Sequence, residues 1–483
     1  MDKTVGPKHA LASKRFVMAV FAAMAPAAAA LAADAAAVLS AANMNALQGL
    51  APVSALGNTD PGKAALASNF KITGDIQSGA VTQPLLESFL DQRQQALRDD
   101  FITTVAYELA DGLGSKLGDA YRKEATNNPP SGGDCKTLKF TSILPAVDRL
   151  IRFANATSYS DSNASKYFFA NETLNGKEPV SVEAKVILTN LNGITNVFGN
   201  AYKPRVDSSN ADRCGAREGD PCNPRPFQTE PNFTVYHGRN FCDSETTNSD
   251  TLEYLKASPA LPSGHTTYGY MESLLLALLV PERYQQMVTR AAEYGNDRIV
   301  LGAHYAMDVV AGRTLAEYDL AQLLANKAGY VGVKPNVGMK SEDLEAIDDF
   351  REALAAARAD LTAALKKGCG GEIADCAARD ESRFADPAKN SALYEATQTY
   401  QLPVVFATNA EGTEDVAKLA PEAGYLLTTA FPNLTLAQAN AILTVTEGRG
   451  GGFLDNGSAF GVYSRLNLYK AAEQAAALPQ KAK

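Results

Sequence analysis

The 483-residue chain carries a formal net charge of −9, with 54 acidic against 45 basic side chains and only four histidines. That balance argues against a nucleic-acid binder, which needs a basic face, and any anion the protein holds must be met by cations gathered locally. Long Ala/Leu/Glu/Arg stretches, 8% aromatic residues and no tryptophan favour helix over sheet.

The N-terminus has the pattern of an export signal. Lys3, Lys8, Lys14 and Arg15 precede an apolar, alanine-rich run over residues 16–33, and Ala30-Leu31-Ala32 has the form of a small-x-small cleavage site. Pro26 and the weak hydrophobicity of alanine favour cleavage over a membrane anchor. No other stretch is long and apolar enough to span, so the exported chain is expected in the periplasm or outside the cell. Residues 34–83 are rich in Ala, Gly and Ser with weak periodicity and are expected to form a partly ordered arm. Over residues 84–122, Leu85, Leu86, Phe89, Leu90, Leu97, Phe101, Val105, Leu109 and Leu113 are spaced mainly for one or two helices. Residues 127–133 break the pattern with Asn, Pro and Gly, and residues 140–153 and 180–198 again read as helical. Asn-x-Ser/Thr triplets begin at Asn155, Asn163, Asn171 and Asn232 and read as ordinary polar loop. Residues 204–250 lack an apolar period. A loop of that length inside a domain is usually functional or disordered, and this one carries Arg225 and His237, the latter read as an ordinary loop histidine.

Six cysteines in an exported chain suit disulfides better than zinc, because their spacings lack close paired ligands. Cys369 with Cys376 is the clearest pair, and Cys214 with Cys222 and Cys135 with Cys242 would complete one of several pairings. Residues 340–483 read as a mostly helical extension, opening on a charged amphipathic helix. Residues 448–452 read as a flexible joint, since they lack the Lys-Ser/Thr of a phosphate loop.

The chemistry concentrates between Pro262 and Asp308. Pro262-Ser263-Gly264-His265 runs into a helix-length apolar segment, which puts Ser263, Gly264 and His265 at a helix N-terminus, where unpaired N–H groups and the dipole attract anions. Asp297-Arg298 begins a second stretch, read as one helix running on to about Leu324. On such a helix His304 and Asp308, four apart, share a face. A carboxylate there can hold one imidazole nitrogen and leave the other nucleophilic. Taken singly, each of these residues is more often a cap, a surface contact or nothing. Together they read as phosphoryl transfer.

Pro-Ser-Gly-His followed by Arg-x5-His-x3-Asp resembles the type 2 phosphatidic acid phosphatase superfamily, which includes bacterial class A acid phosphatases, lipid phosphate phosphatases and vanadium haloperoxidases. Asn223-Pro224-Arg225-Pro226 is similar to the Arg-Pro half of that family's first motif, Lys-x6-Arg-Pro. The lysine position holds Glu218 instead, and Lys203, followed by a looped insertion, is taken as the motif lysine. Asp297 stands where the family usually has serine. Ser464-Arg465-Leu466-Asn467-Leu468 resembles the C-terminal Arg-Leu-Asn-Leu segment of soluble bacterial members.

The resemblance implies an all-α helical bundle over residues 84–335, with the site at one end. It also implies a metal-independent acid phosphatase acting on small phosphate esters without a cofactor. His304 would be the nucleophile, Asp308 its orienting carboxylate and His265 the general acid, while Lys203, Arg225, Arg298, Ser263 and Gly264 hold the phosphate oxygens. Vanadate is then expected to inhibit as a phosphate mimic. Rival readings are a vanadium-dependent haloperoxidase, in which vanadate is the cofactor, a lipid phosphate or pyrophosphate phosphatase, and a non-catalytic phosphate-binding envelope protein. Homo-oligomerisation is left open.

Overall fold

The computed structural model of the chain describes residues 53–99, 106–125, 144–158, 224–230, 232–235, 260–332 and 344–478. The leader-like residues 1–33, Lys203, His237, Asn163, Asn171 and the cysteines at 135, 214, 222 and 242 lie outside them. Among the described residues the architecture is all-α, with no strand. No described helix is long and apolar enough to cross a membrane.

Three helices form the centre: α5 (Gly264–Leu279), α6 (Tyr284–Val300) and α7 (Ala306–Leu324). Earlier in the chain come α1 (Asp60–Ser78), α2 (Phe89–Arg98), α3 (Ser115–Ala125) and α4 (Pro145–Ser158). Later come α8 (Phe350–Cys369), α9 (Pro387–Thr399), α10 (Leu436–Thr446) and α11 (Leu468–Ala477). α5 is buried on nearly every side, as the unbroken apolar run Leu274–Leu279 requires. It packs chiefly against α6 and α7.

The stretch expected to be a partly ordered arm contains α1. Thr59 caps it by accepting the Gly62 N–H at 3.1 Å, and Pro61 sits in its first turn. Its buried face is built from Ala65, Leu66, Asn69, Thr73 and Ile76, a mixture of small and polar residues that hides the apolar period. Asn155, read as polar loop, lies in α4 and donates to Glu272 at 2.7 Å.

The C-terminal part shares the core of the rest. One continuous apolar cluster runs from Leu56 to Ala475, so the expected boundary after residue 335 has no counterpart in the packing. Polar ties cross it too. Arg383 donates to Glu293 on α6 at 2.6 Å and to Asp111 at 2.7 Å, and Arg313 on α7 donates to the Gln398 and Ser464 carbonyls at 3.0 and 2.8 Å. The glycine run expected to be a flexible joint is pinned. The Gly448 N–H donates to the Arg465 carbonyl at 2.7 Å, the Gly451 N–H donates to Asp455 at 2.6 Å, and the Gly451 carbonyl accepts from Val405 and Phe406. Cys369 and Cys376 form the expected disulfide just past the end of α8.

Candidate active site

The ends of α6, α5 and α7 converge on His304. Here the helix geometry departs from the sequence expectation: residues 298–324 are not one helix. α6 ends at Val300, Gly302 turns the chain at φ +76°, and His304 sits in the connecting turn ahead of α7. A Cβ at Gly302 would come within 2.1 Å of the Gln77 amide nitrogen and 2.4 Å of the Thr234 carbonyl, so only glycine serves there. His304 and Asp308 therefore meet through a helix cap rather than along a helical face. Asp308 is the third residue of α7, and its Oδ2 accepts the Tyr305 N–H at 2.8 Å and faces His304 Nδ1 at 3.3 Å. Both side chains are fully buried.

Arg225 supplies the other contact to the ring. It caps the short helix Pro226–Thr229, where its own N–H donates to Gln228 at 2.9 Å. Its Nη1 lies 3.0 Å from His304 Nε2 and donates to the Ala303 carbonyl at 2.9 Å. A guanidinium has no acceptor, so Nε2 must offer its lone pair and the proton must reside on Nδ1, facing Asp308. That is the tautomer a histidine nucleophile requires.

Ser263 joins the two motifs. Its N–H donates to the Asp308 carbonyl at 3.0 Å, so the N-terminus of α5 is fastened to the first turn of α7. The two helices approach closely at Gly312, where a Cβ would fall 2.6 Å from the Ser263 carbonyl. The Ser263 hydroxyl caps α5, accepting from the Thr266 N–H at 3.2 Å and the Thr266 hydroxyl at 2.8 Å. With its lone pairs engaged, its own O–H remains to donate. Gly264 opens α5, and His265 follows it. The His265 ring centroid is 6.5 Å from that of His304, and it is the half-exposed member of the pair.

The Arg298 carbonyl accepts the N–H groups of Ala303 at 3.2 Å and His304 at 3.3 Å. The buried Arg298 guanidinium donates to the Asp99 carbonyl and lies over the Tyr294 ring at 4.5 Å. Asp99 in turn forms a two-pronged pair with Arg290 at 2.6 Å, which also meets Asp111 at 2.6 Å and Glu293 at 3.4 Å. Burial pushes the Asp111 carboxyl up, but the guanidinium groups of Arg290 and Arg383 overcome this and hold it well below the usual range. Asp297 goes the other way. Burial and the charges of Asp99 and Glu293 push its carboxyl far up.

Three residues escaped the sequence reading. Asn69 Oδ1 accepts the Met307 N–H at 2.9 Å, Thr73 Oγ1 accepts the Ala306 N–H at 3.2 Å, and Gln77 donates to the Thr234 carbonyl at 2.7 Å beside Gly302. α1 thus satisfies the first N–H groups of α7 and braces the turn that carries His304. The available signal was the spacing of Asn69, Thr73 and Gln77 at four and four, a polar stripe along one helical face.

Sequence comparison covers this same stretch. Residues 222–320 match the PAP2 superfamily model. This segment is a PAP2 superfamily domain. The chain is similar to the non-specific acid phosphatase of Salmonella typhimurium, 36% identical over 99 residues, or 20% of this chain and 35% of that protein. It is also similar to an acid phosphatase of Zymomonas mobilis, 41% identical over 71 residues, 15% of this chain and 27% of the relative. A Providencia stuartii non-specific acid phosphatase is 33% identical over 81 residues, 17% of this chain and 33% of the relative. The chain therefore spans about a third of the length of the curated relatives it matches. The residues that match the superfamily model include Arg225, His265, His304 and Asp308.

Proposed function

We propose that this protein is an exported, metal-independent acid phosphatase that hydrolyses small phosphomonoesters through a phosphohistidine. The observation that carries the reading is the His304 ring, with Nδ1 toward Asp308 and the Nε2 lone pair toward Arg225. His304 Nε2 attacks phosphorus in line, forming the P–N bond as the ester P–O bond breaks. His265 gives its proton to the departing alkoxide. A water then enters, His265 takes its proton, and the P–N bond breaks to release phosphate and restore both rings. In the first step Arg225 exchanges the Nε2 lone pair for an equatorial phosphoryl oxygen. Arg298, Lys203, the Ser263 hydroxyl and the Gly264 N–H serve the remaining oxygens. Positioning and charge stabilisation account for most of the rate in phosphoryl transfer, so several donors outweigh any one.

Vanadate enters this reading as an inhibitor that mimics the five-coordinate phosphoryl group. The signal-like N-terminus supports export to the periplasm or medium.

The test is p-nitrophenyl phosphate hydrolysis between pH 4 and 9 with EDTA and with orthovanadate, beside rapid acid-labile phosphoprotein trapping. The expected result is EDTA-resistant, vanadate-sensitive turnover with a base-stable, acid-labile phosphoryl group that vanishes in His304→Ala. Turnover persisting in His304→Ala would overturn the mechanism. A folded protein without phosphatase activity that oxidises bromide when given vanadate would replace it with the haloperoxidase reading.

A further inference from the structure

Arg225 comes to the site differently from its neighbours. His265 and Arg298 ride on α5 and α6, whose buried faces fix them, whereas Arg225 caps a helix of only four residues, Pro226–Thr229. One turn of helix cannot hold itself, because it fixes several residues for a single hydrogen bond. The Arg225 bond to the Ala303 carbonyl is made by the same Nη1 at the tip of a long side chain, so it does not fix where the backbone stands. The 3.0 Å separation of Nη1 from His304 Nε2 therefore depends on what the short helix is fastened to.

One fastening is a pair of hydroxyls. Thr229 Oγ1 and the Tyr305 hydroxyl lie 2.7 Å apart. The Thr229 proton goes to the Pro226 carbonyl at 2.8 Å, so the Tyr305 O–H is the donor and Thr229 the acceptor. Tyr305 is fully buried. It directly follows His304, and its own N–H donates to Asp308 Oδ2 at 2.8 Å. One residue thus serves both sides of the His304 ring. Its N–H holds the carboxylate that faces Nδ1, and its hydroxyl holds the helix that carries the cation at Nε2. α1 backs the same arrangement, with the Phe70 ring centroid 5.0 Å from that of Phe233 and 6.5 Å from that of Tyr305.

We infer that Tyr305 and Thr229 are positioning residues for phosphoryl transfer: their hydroxyl pair latches the Arg225 helix to the His304 turn and sets the guanidinium where an equatorial phosphoryl oxygen arrives. The inference rests on the reaction proposed above. Both residues act through Arg225, which takes up that oxygen as the P–N bond forms. The latch therefore acts on kcat and on affinity for a mimic of the five-coordinate phosphoryl group, and little on KM.

The experiment measures p-nitrophenyl phosphate kinetics, orthovanadate affinity by titration calorimetry and melting temperature on the full chain. The variants are Tyr305→Phe, Thr229→Val, Thr229→Ser and the double variant Tyr305→Phe with Thr229→Val. A displacement of about 1 Å can cost about 10²-fold, and loosening Arg225 short of that should cost about tenfold in both kcat and orthovanadate affinity. KM should stay within about twofold of wild type. Thr229→Ser keeps the hydroxyl and should remain within about twofold of wild type in every reading. The double variant loses the same bond once, so it should match the more impaired single variant rather than multiply the two losses. Thr229→Val also strands the buried Tyr305 O–H, so its melting temperature should fall further than that of Tyr305→Phe. Unchanged kcat and orthovanadate affinity in Tyr305→Phe, a Thr229→Ser protein as impaired as Thr229→Val, or losses that multiply in the double variant would each overturn the latch. So would a fall in kcat with orthovanadate affinity unchanged, which marks fewer folded molecules rather than a displaced Arg225. Orthovanadate binding is read without turnover. A wild type that binds it but hydrolyses nothing would sink the phosphatase reading while the variants' affinities still decide the latch, and a wild type that binds none would sink both.

Discussion

Replacing Asp308 with asparagine tests the arrangement at its centre. The new amide keeps the size of the carboxylate, and its oxygen can still accept the Tyr305 N–H, now 2.8 Å from Oδ2. The same Oδ2 stands 3.3 Å from His304 Nδ1, so the amide oxygen keeps the Nδ1 proton in place and the substitution removes only the carboxylate charge. That charge stabilises the ring once Nε2 is bonded to phosphorus, and loss of one preorganised electrostatic contact of this kind costs about 10²–10³ in kcat, or about 2.7–4 kcal/mol of transition-state stabilisation. The assay is steady-state p-nitrophenyl phosphate hydrolysis by wild type and Asp308→Asn, with circular dichroism as the check on folding. KM should change little, since the carboxylate faces the ring rather than the phosphate. A folded Asp308→Asn protein within about tenfold of wild-type kcat would refute the electrostatic role given to the carboxylate.

Other outcomes follow from the same contacts. Arg225→Lys keeps the charge but loses the planar guanidinium whose Nη1 meets both the Ala303 carbonyl and His304 Nε2; kcat should fall by about 10²-fold, in line with loss of one oriented donor. Arg383→Ala leaves the fully buried Glu293 and the Asp111 carboxylate short of a cation, and urea unfolding should show about 3–5 kcal/mol of destabilisation, while an effect under about 1 kcal/mol would mean the network relaxes freely. Stability should also decline from mild acid toward alkaline pH. Burial pushes the Glu272 and Glu317 carboxyls up to about 8, and burial with like-charge neighbours pushes Glu414 and Glu447 up to about 7. Carboxyls raised on folding stabilise the protein fully below their unfolded value and lose that contribution as pH rises through the folded one. The melting temperature should therefore drop between about pH 5 and 8.5, Glu272→Gln with Glu317→Gln should flatten the profile, and a rise over that range would contradict it.

The sequence alone determined the helical class and singled out the residues proposed to carry the chemistry. A helix-length apolar run behind Ser263-Gly264-His265 can be buried only as a core helix, and its start must leave N–H groups unpaired. Local capping and spacing are properties of a few adjacent residues, so Arg225, His265, His304 and Asp308 were readable without coordinates. The way His304 meets Asp308 was not. Spacing four fits both a helical face and a turn followed by a capped helix, and only Gly302, pressed against Gln77 and Thr234, selects the turn. The packing of the arm and of the extension was hidden for a related reason. Alanine, asparagine and threonine along α1 carry no apolar period of their own, and they become a buried face because α7 needs its first N–H groups met. Likewise Arg383 and Gly451 look like loop residues until Glu293, Asp111 and Asp455 come to meet them. Partners drawn from hundreds of positions away leave no local trace, and the tertiary structure alone decides them.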